Sequence, residues 1–304
     1  MTRTTPFVLA LAAAACLAAD VSAQRQVFRA TTAQVSVSAS VKKGNNVVTK
    51  LTANDFTLTD NGVAQTITAV STEALPIDVS LFLDTSGSTS GKLDEMKRDT
   101  QAIIKMLRPG DRFRLLVIGD SVYEAVPWVD AGANVSLPFQ PVGGISLVTD
   151  ALLMAMLHRV DPDRRHLVVG MTDRRDCGSV VSSKFLRELS GRSESVVHLV
   201  DQSGSGGEAH YRVRTCTPRA IDHGDEIIRE AAERTGGELH EGSFFFRSRS
   251  ILGAFKQIFE DFRQSYVLRY SPEGVTMPGW HAIHVETLGV KGATVRARAG
   301  YYGD

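Results

Sequence analysis

The stretch IDVSLFLDTSGS, residues 77–88, decides how this chain folds. Its first seven residues are mostly apolar and predict a strand. The polar run from Asp84 to Ser88 ends that strand, and apolar positions on one face of residues 93–107 predict a helix after it. A strand that leads through a polar loop into a helix is the repeating unit of α/β proteins.

The same alternation continues along the chain. Further strands are predicted at residues 113–118, 166–171 and 195–200, and further helices at residues 150–160, 185–189, 225–234 and 252–262. This order predicts an α/β fold, a doubly wound and mainly parallel sheet with helices on both faces, over residues 76–263. The polar, glycine-rich segment 202–223 is predicted to be a surface loop.

Segments with a β pattern flank this domain on both sides. Residues 24–75 contain an alternating strand at 35–41, and a hairpin is predicted around Asp60, Asn61 and Gly62, because Asn and Gly tolerate positive φ. Residues 264–304 contain three more β patterns. We expect the two flanking segments to pack together as a small β module.

The first 23 residues have the features of a secretory signal peptide. Arg3 precedes an apolar run at 7–19, which is too short to span a bilayer, and cleavage is expected between Ala23 and Gln24. Lipidation at Cys16 is the alternative. The sequence therefore predicts an exported protein without a membrane span, located in the periplasm, at the cell surface or outside the cell.

The charge balance of the chain argues against nucleic-acid binding. The 304 residues include 34 basic and 34 acidic side chains, so the chain lacks the excess of positive charge that nucleic-acid binding requires.

After signal cleavage two cysteines remain, Cys177 and Cys216; they could form one disulfide or stay as two thiols. The oligomeric state is not determined by the sequence.

Three polar clusters are expected at one edge of the sheet, because loops at the carboxyl ends of parallel strands converge there. These clusters are Asp84-x-Ser86-x-Ser88, Gly143-Gly144-Ile145-Ser146 and Thr172-Asp173. Their hydroxyls and carboxylates are hard oxygen ligands of the kind that Mg²⁺ prefers. Zinc is disfavoured because no histidine or cysteine belongs to the set.

These clusters resemble the metal-ion-dependent adhesion motif of von Willebrand factor A-type (VWFA) domains. Residues 83–88 are similar to the D-x-S-x-S element of this motif. Residues 143–146 and Asp150 are similar to its glycine-rich loop and to the helix that follows. Residues 172–179 are similar to its T-D-G-x-D-x-x-S segment. The flanks resemble a subgroup of exported bacterial VWFA proteins, and the similar segments are residues 51–56, 60–62, 264–270 and 298–302.

The resemblance implies a metal site and a function. It implies that Ser86 and Ser88 ligate Mg²⁺ directly (Mn²⁺ and Ca²⁺ being alternatives), with Ser146 at the position where the family has threonine. Asp84 and Asp173 would act through bound water. An Asp or Glu of a partner protein would complete the coordination, which makes the chain a non-catalytic, adhesion-type binding module.

Two departures from the family pattern bear on this site. Ser146 replaces threonine and follows an apparent one-residue insertion, which is expected to shift its hydroxyl. Arg174 replaces the usual glycine, and with Arg175 it brings positive charge towards the cation. Both departures are expected to weaken metal binding.

Two other functions remain as alternatives. One is a scaffold whose metal site has degenerated. The other is an exported hydrolase, although no histidine lies in the motif loops to act as a base. His281 and His284 are three residues apart in a predicted strand, so they should lie on opposite faces, and both are expected to be surface histidines.

Overall fold

A buried strand, β6 (Ile77–Asp84), lies in the middle of a six-stranded sheet in the computed structural model of this chain. The structure describes the following residues: 34–72, 75–86, 93–138, 145–158, 160–161, 163–176, 178–202, 218–240, 251–276 and 278–303, with side chains described from 224 onwards in the segment that begins at 218. All of them belong to one unit, Ala33–Asp304.

The described residues form fifteen strands and five helices. The strands are β1 (Val35–Lys43), β2 (Asn46–Val47), β3 (Phe56–Asp60), β4 (Val63–Ala64), β5 (Ile67–Ser71), β6 (Ile77–Asp84), β7 (Arg112–Ile118), β8 (Val122–Asp130), β9 (Arg165–Thr172), β10 (Val196–Asp201), β11 (Glu238–His240), β12 (Tyr266–Tyr270), β13 (Gly279–Thr287), β14 (Thr294–Ala297) and β15 (Gly300–Gly303). The helices are α1 (Leu93–Ile104), α2 (Val148–Met156), α3 (Ser183–Arg192), α4 (Pro218–Arg234) and α5 (Ile251–Gln264).

The central sheet has the strand order β11-β10-β9-β6-β7-β8. Neighbouring strands are parallel from β11 to β7, and β8 runs antiparallel to β7 at the edge. The chain builds the sheet outwards in one direction through β7 and β8, and in the other through β9, β10 and β11. The order therefore reverses between β6 and β9, which is where open α/β sheets bind ligands.

Apolar side chains from the two faces of this sheet form separate cores. One core joins alternate residues of β6 with α1 and α5, and its most buried members include Leu81, Ile103 and Phe255. The other joins the opposite face with α2, α3 and α4, around Phe82, Leu152 and Ile228. Helices therefore pack against both faces of the central sheet.

One glycine in β9 is required by the second core. A Cβ on Gly170 would lie 1.9 Å from Cζ of Phe82, whose side chain is fully buried. The ring of Phe82 therefore occupies the space that any larger residue at position 170 would need.

The flanking strands pair with each other. β1 lies between β12 and β14, and β13 lies between β3 and β15, with all of these pairs antiparallel. Their shared core contains Val37, Leu58, Tyr266, Tyr270 and Val285. In the predicted hairpin, Asn61 has φ 48° and Gly62 has φ 81°, the left-handed pair that a two-residue turn between β3 and β4 requires.

The observed fold is thus a mixed α/β fold with several sheets, and it differs from the prediction in three respects. Neither edge strand of the central sheet, β8 or β11, was predicted, and β8 runs antiparallel to its neighbour. Helix α4 begins at Pro218, so the predicted loop 202–223 extends too far; its residues 203–217 lie outside the described part of the chain. His281 is fully buried rather than exposed, while His284 on the opposite face is exposed.

None of the helices among the described residues is both long enough and apolar enough to cross a membrane.

Candidate functional site

Two neighbouring parallel strands bring polar residues together at the carboxyl edge of the central sheet. Asp84 is the last residue of β6 and Thr172 is the last residue of β9, and the register pairs Leu83 with Met171 just before them. Since the strand order reverses between these two strands, the helices that follow them, α1 and α3, pack on opposite faces of the sheet, which is the arrangement in which open α/β sheets form a ligand-binding crevice.

The carboxylate of Asp84 is the centre of this arrangement, and its side chain is fully buried. Its Oδ2 accepts hydrogen bonds from the hydroxyls of Ser146 (2.7 Å) and Thr172 (3.0 Å). Its Oδ1 accepts the backbone N–H of Ser86 at 3.0 Å. One carboxylate therefore organises three loops: the one after β6, the one before α2 and the one after β9.

Burial and a neighbouring charge both act on this carboxyl group. Loss of solvent, followed by repulsion from the carboxylate of Asp173, raises the pKa of Asp84 from 3.8 to about 6. The hydrogen bonds from Ser86 and Ser146 oppose this shift without cancelling it. The site therefore holds negative charge that the neighbouring hydroxyls only partly stabilise.

Asp84 and Ser86 both face the site, whereas Thr85 between them does not, and the structure shows why. Thr85 continues the pairing of β6 with β7: both its backbone N–H and its hydroxyl donate to the carbonyl of Ile118, at 2.9 and 3.0 Å. Ser86 turns back instead, and its backbone N–H and side chain both contact Asp84. Residues two apart thus face the site, and the one between faces the sheet.

Ser146 reaches the site in spite of the apparent insertion before it. Its residue is 4% exposed, and its hydroxyl donates to Asp84. A hydroxyl that donates its hydrogen keeps two lone pairs, so Ser146 and Thr172 can each hold Asp84 and still offer oxygen lone pairs to a cation.

Thr172 belongs to one of the three polar clusters predicted at this edge, but it was not among the predicted metal-binding residues. Besides donating to Asp84, its Oγ1 accepts the backbone N–H of Arg174 at 2.9 Å. The signal that could have found it is its position at the end of a buried strand, directly before Asp173.

The loop after β9 is braced against the start of α2. Asp176 Oδ2 accepts the backbone N–H of Thr149 and the hydroxyl of Ser179, both at 2.7 Å. The carboxylate of Asp150 accepts the backbone N–H groups of Val180 and Val181. These bonds fix the loop that carries Asp173 relative to the loop that carries Ser146.

Arg174 takes up a backbone conformation that is uncommon for a residue with a Cβ. Its φ is 68°, in the left-handed region that a residue without a Cβ adopts most easily. Its guanidinium contacts two carboxylates, Asp225 at 3.0 Å and Asp201 at 3.3 Å. The positive charge of Arg174 is therefore offset by neighbouring acids.

Arg175 is placed differently. Its backbone N–H donates to Asp173 Oδ1 at 3.1 Å, and its Nε lies 4.0 Å from Asp173 Oδ2. Its side chain is 54% exposed. The guanidinium of Arg175 thus lies at the rim of the crevice, beside one of the two carboxylates expected to hold a cation.

Several predicted site residues lie outside the described residues. They are Ser88, Gly143, Gly144, Cys177 and Cys216, as well as Cys16, Ala23 and Gln24 at the signal peptide. Of the predicted metal residues, Asp84, Ser86, Ser146 and Asp173 are described, and hydrogen bonds or electrostatic interaction with Asp84 link all of them.

The chemistry of this donor set fits a hard divalent cation. It combines two carboxylates with hydroxyls from three loops, and Mg²⁺ and Mn²⁺ prefer such oxygen ligands. A bound cation would also compensate the buried charge of Asp84. Over the ranges that the structure describes, no cluster of three or more His, Cys, Asp and Glu side chains could hold a metal by itself, so hydroxyls would have to contribute.

Comparisons with known proteins give similarities at the level of structure. No family model matches the sequence, and no curated protein matches it. A similar solved structure is an aerotolerance-related membrane protein from Bacteroides fragilis, with 14% sequence identity, coverage of 61% of this chain and 98% of that one, and a TM-score of 0.42. The ArnB paralog VWA2 from Sulfolobus acidocaldarius has 10% identity, coverage of 88% of this chain and 76% of that one, and a TM-score of 0.43. The mussel byssus protein PTMP1 with a zinc-occupied MIDAS motif has 14% identity, coverage of 67% of this chain and 49% of that one, and a TM-score of 0.43. The structures similar to this chain thus include VWA proteins.

Proposed function

We propose that this chain is an exported VWFA-type protein with a doubly wound central sheet, and that it binds a partner protein through a divalent cation at the carboxyl edge of that sheet. The observation that carries this proposal is the buried carboxylate of Asp84, which gathers hydroxyls from separate loops at the point where the strand order reverses. Mg²⁺ is the cation that this oxygen-rich set suits best.

The proposal assigns a part to each residue. Ser86, Ser88 and Ser146 would ligate the cation with their hydroxyl oxygens, and Asp84 and Asp173 would act through water. The cation would supply an electrophilic position that a partner's Asp or Glu carboxylate can fill. Asp84 keeps the hydroxyl of Ser146 oriented, because it accepts that hydrogen bond.

The two arginines after Asp173 favour an acidic partner. Arg174 is paired with Asp201 and Asp225, so most of its charge is offset before a cation binds. Arg175 is exposed at the rim and would add a positive charge beside the incoming carboxylate. We propose that these residues adjust the affinity of the site for its partner rather than abolish metal binding.

The function proposed here is binding without catalysis. The described atoms that hydrogen-bond to Asp84 come from serine and threonine residues, and a hydrolase would need a nucleophile with a base beside it. Robust turnover of generic ester, peptide or phosphate substrates that Asp84→Asn abolishes would contradict this part of the proposal.

Metal titration of the protein from Gln24 onwards tests the proposed site. Calorimetry with Mg²⁺ and Mn²⁺ is expected to show saturable binding in the wild type, and loss of binding in Asp84→Asn and in Ser146→Ala. Asp130→Asn, an exposed carboxylate at the end of β8, is the matched control and should bind as the wild type does. A wild type that is indifferent to both metals and to chelator would overturn the proposal.

Export is tested separately. When the full chain is expressed in a bacterium with a secretion pathway, the proposal expects mass spectrometry of the exported fraction to find an N-terminus at Gln24. A full-length chain that remains in the cytoplasm would contradict export but leave the metal site untouched.

A further inference from the structure

A cavity of about 550 Å³ opens at the amino edge of the central sheet, opposite the candidate metal site. It is lined by Ile77 at the start of β6, Arg165 at the start of β9 and Asp111 just before β7. Asp84 lies seven residues further along β6, roughly 23 Å away at the rise of an extended strand. The cavity is therefore a separate feature of the fold.

The flanking β module closes the cavity on the other side. Residues 49–51 and Val70 come from the N-terminal segment, and Gln264 and Tyr266 come from the junction of α5 with β12. A cavity between two layers of a fold, of a few hundred Å³, has the usual size and location of a small-molecule site.

The charged residues that line the cavity are mostly basic. Lys50, Arg108, Arg165 and Arg263 contribute positive charge, and the acidic side chain among the lining residues is Asp111. This imbalance is local, because the chain as a whole has equal numbers of basic and acidic residues.

The carboxylate of Asp111 is already fully engaged. Its oxygens accept the backbone N–H groups of Ile77 (2.9 Å) and Arg108 (2.7 Å), and they form an ion pair with the guanidinium of Arg263. With a side chain only 2% exposed, Asp111 holds the wall of the cavity together. It does not neutralise the basic side chains at the mouth.

Arg165 is held rigidly in that wall. Its guanidinium donates to the carbonyl of Phe262 (2.9 Å) and to the hydroxyl of Ser265 (2.7 Å), and it lies 4.1 Å from the centre of the Phe262 ring. Such a fixed guanidinium provides positive potential without an ordering cost when a ligand binds.

Lys50 and Arg108 stand at the mouth, where both are exposed. Within the part of the chain that the structure describes, neither forms an ion pair with a carboxylate at 4.0 Å or less. These two side chains are the cations most available to a molecule that enters from solvent.

The loop around Lys50 is held in an unusual conformation. Lys50 has φ 70°, which is uncommon for a residue with a Cβ. One buried side chain pins the loop: the hydroxyl of Tyr266 donates to the carbonyl of Val48 (2.9 Å) and accepts the N–H of Leu51 (3.1 Å). Strained backbone that its surroundings enforce in this way is a feature of binding sites.

Apolar side chains complete the lining, among them Leu51, Val70, Leu75 and Pro109. From this combination we infer that the cavity binds a small organic anion, with a carboxylate or phosphate group at Lys50 and Arg108 and an apolar body inside. The inference does not depend on the proposed metal site.

Calorimetry with two probes and their matched controls tests this inference. Benzoate and phenyl phosphate carry an apolar ring with a charged group, benzamide has the shape of benzoate without its charge, and inorganic phosphate lacks the ring. At constant ionic strength and with chelator present, saturable binding of benzoate or phenyl phosphate is expected. Benzamide and inorganic phosphate should bind at least about tenfold more weakly.

Variants locate the binding. Lys50→Asn removes the charge and keeps a residue that tolerates positive φ, and Arg108→Gln removes the second charge. Each should weaken binding about tenfold, while Lys184→Gln, an exposed lysine in α3, should have no effect. Melting temperatures equal to that of the wild type would show that the variants remain folded.

The inference is overturned if neither probe binds saturably, or if binding is the same in Lys50→Asn and Arg108→Gln as in the wild type. Asp84→Asn should bind the probes normally. Failure of this inference is thus distinguishable from failure of the metal proposal, which is measured with Mg²⁺ or Mn²⁺ at the opposite edge of the sheet.

Discussion

Replacement of Asp84 by Asn should stabilise the metal-free protein while abolishing its response to metal. The carboxylate is fully buried, and burial together with the charge of Asp173 raises its pKa from 3.8 to about 6. At about 1.4 kcal/mol per pKa unit, ionised Asp84 lowers the free energy of unfolding by about 3 kcal/mol when no cation is present.

Asparagine has the shape of aspartate and can form hydrogen bonds to several of the same neighbours, although the hydroxyls of Ser146 and Thr172, which donate to Asp84, would have to reorient. Its carbonyl oxygen can accept the N–H of Ser86, as Asp84 Oδ1 does. Its amide group can donate to the hydroxyl of Ser146, since a hydroxyl both donates and accepts. The variant therefore removes the charge but keeps the shape.

The stability difference between Asp84→Asn and the wild type should change with pH in a definite direction. Above about pH 6 Asp84 is ionised in both the folded and the unfolded state, so its burial destabilises the protein in full. As the pH falls from about 6 to below 3.8, the folded state takes up a proton before the unfolded state does, and the penalty disappears. The stability advantage of Asp84→Asn should therefore be greatest at pH 7–8 and vanish near pH 4.

Urea unfolding in chelator measures this difference at each pH for wild type and variant in parallel. At pH 7.5 the variant should be more stable by about 3 kcal/mol, which corresponds to a rise in melting temperature of roughly 6 °C for a domain of this size. Asp201→Asn is the matched control, because Asp201 is a buried carboxylate at the end of β10 that pairs with Arg174. It should lose stability.

The reasoning is refuted if Asp84→Asn destabilises the protein in chelator, because Asp84 would then be a structural hydrogen-bond acceptor. It is also refuted if the variant still gains stability when Mg²⁺ is added.

Three further predictions concern the scaffold. Gly170→Ala should lower the free energy of unfolding, measured by chemical denaturation, by about 3 kcal/mol, because its Cβ would overlap the ring of Phe82. When Phe82 is also replaced by Leu, the same Gly170→Ala substitution should lower the free energy of unfolding by less. His281→Phe should cost about 3 kcal/mol by the same measurement, because it removes a fully buried hydrogen-bond partner of the Asp60 carboxylate, whereas His284→Phe on the exposed face should be close to neutral. Burial lowers the pKa of His240 from 6.5 to about 4, so the neutral imidazole stabilises the folded state above pH 6.5, and this contribution is lost as the pH falls towards 4. The free energy of unfolding of the wild type should therefore fall between pH 7.5 and pH 5. In His240→Gln this fall should be smaller by about 2 kcal/mol.

Local patterns in the sequence predicted the elements that local chemistry decides. The apolar run 77–83 is a buried strand, and Asn61-Gly62 forms the hairpin turn because these residues accept positive φ. Strand β8 was missed because its burial does not alternate regularly and its pairing with β7 is interrupted by shifts of register. A strand of this kind is specified by its neighbour more than by its own residues.

The candidate site also combines positions that the sequence predicted with contacts that only the folded chain forms. The sequence alone placed Asp84, Ser86 and Asp173 directly after buried strands, and the carboxyl ends of parallel strands share one edge. It did not determine that the hydroxyls of Thr172 and Ser146 meet on one oxygen of Asp84, because that contact joins residues 62 and 88 positions apart.

Burial and charge compensation were decided by the tertiary structure. Arg174 was expected to oppose a cation, yet its guanidinium pairs with Asp201 and Asp225 from other elements. His281 was expected at the surface, yet Tyr301 stacks on it and Asp60 binds it in the core of the β module. The sequence by itself determined which residues can form strands, turns and oxygen ligands, because these properties depend on each residue and its near neighbours. Solvent exposure and the partner of each charge depend on distant segments, and only the folded chain brings those together.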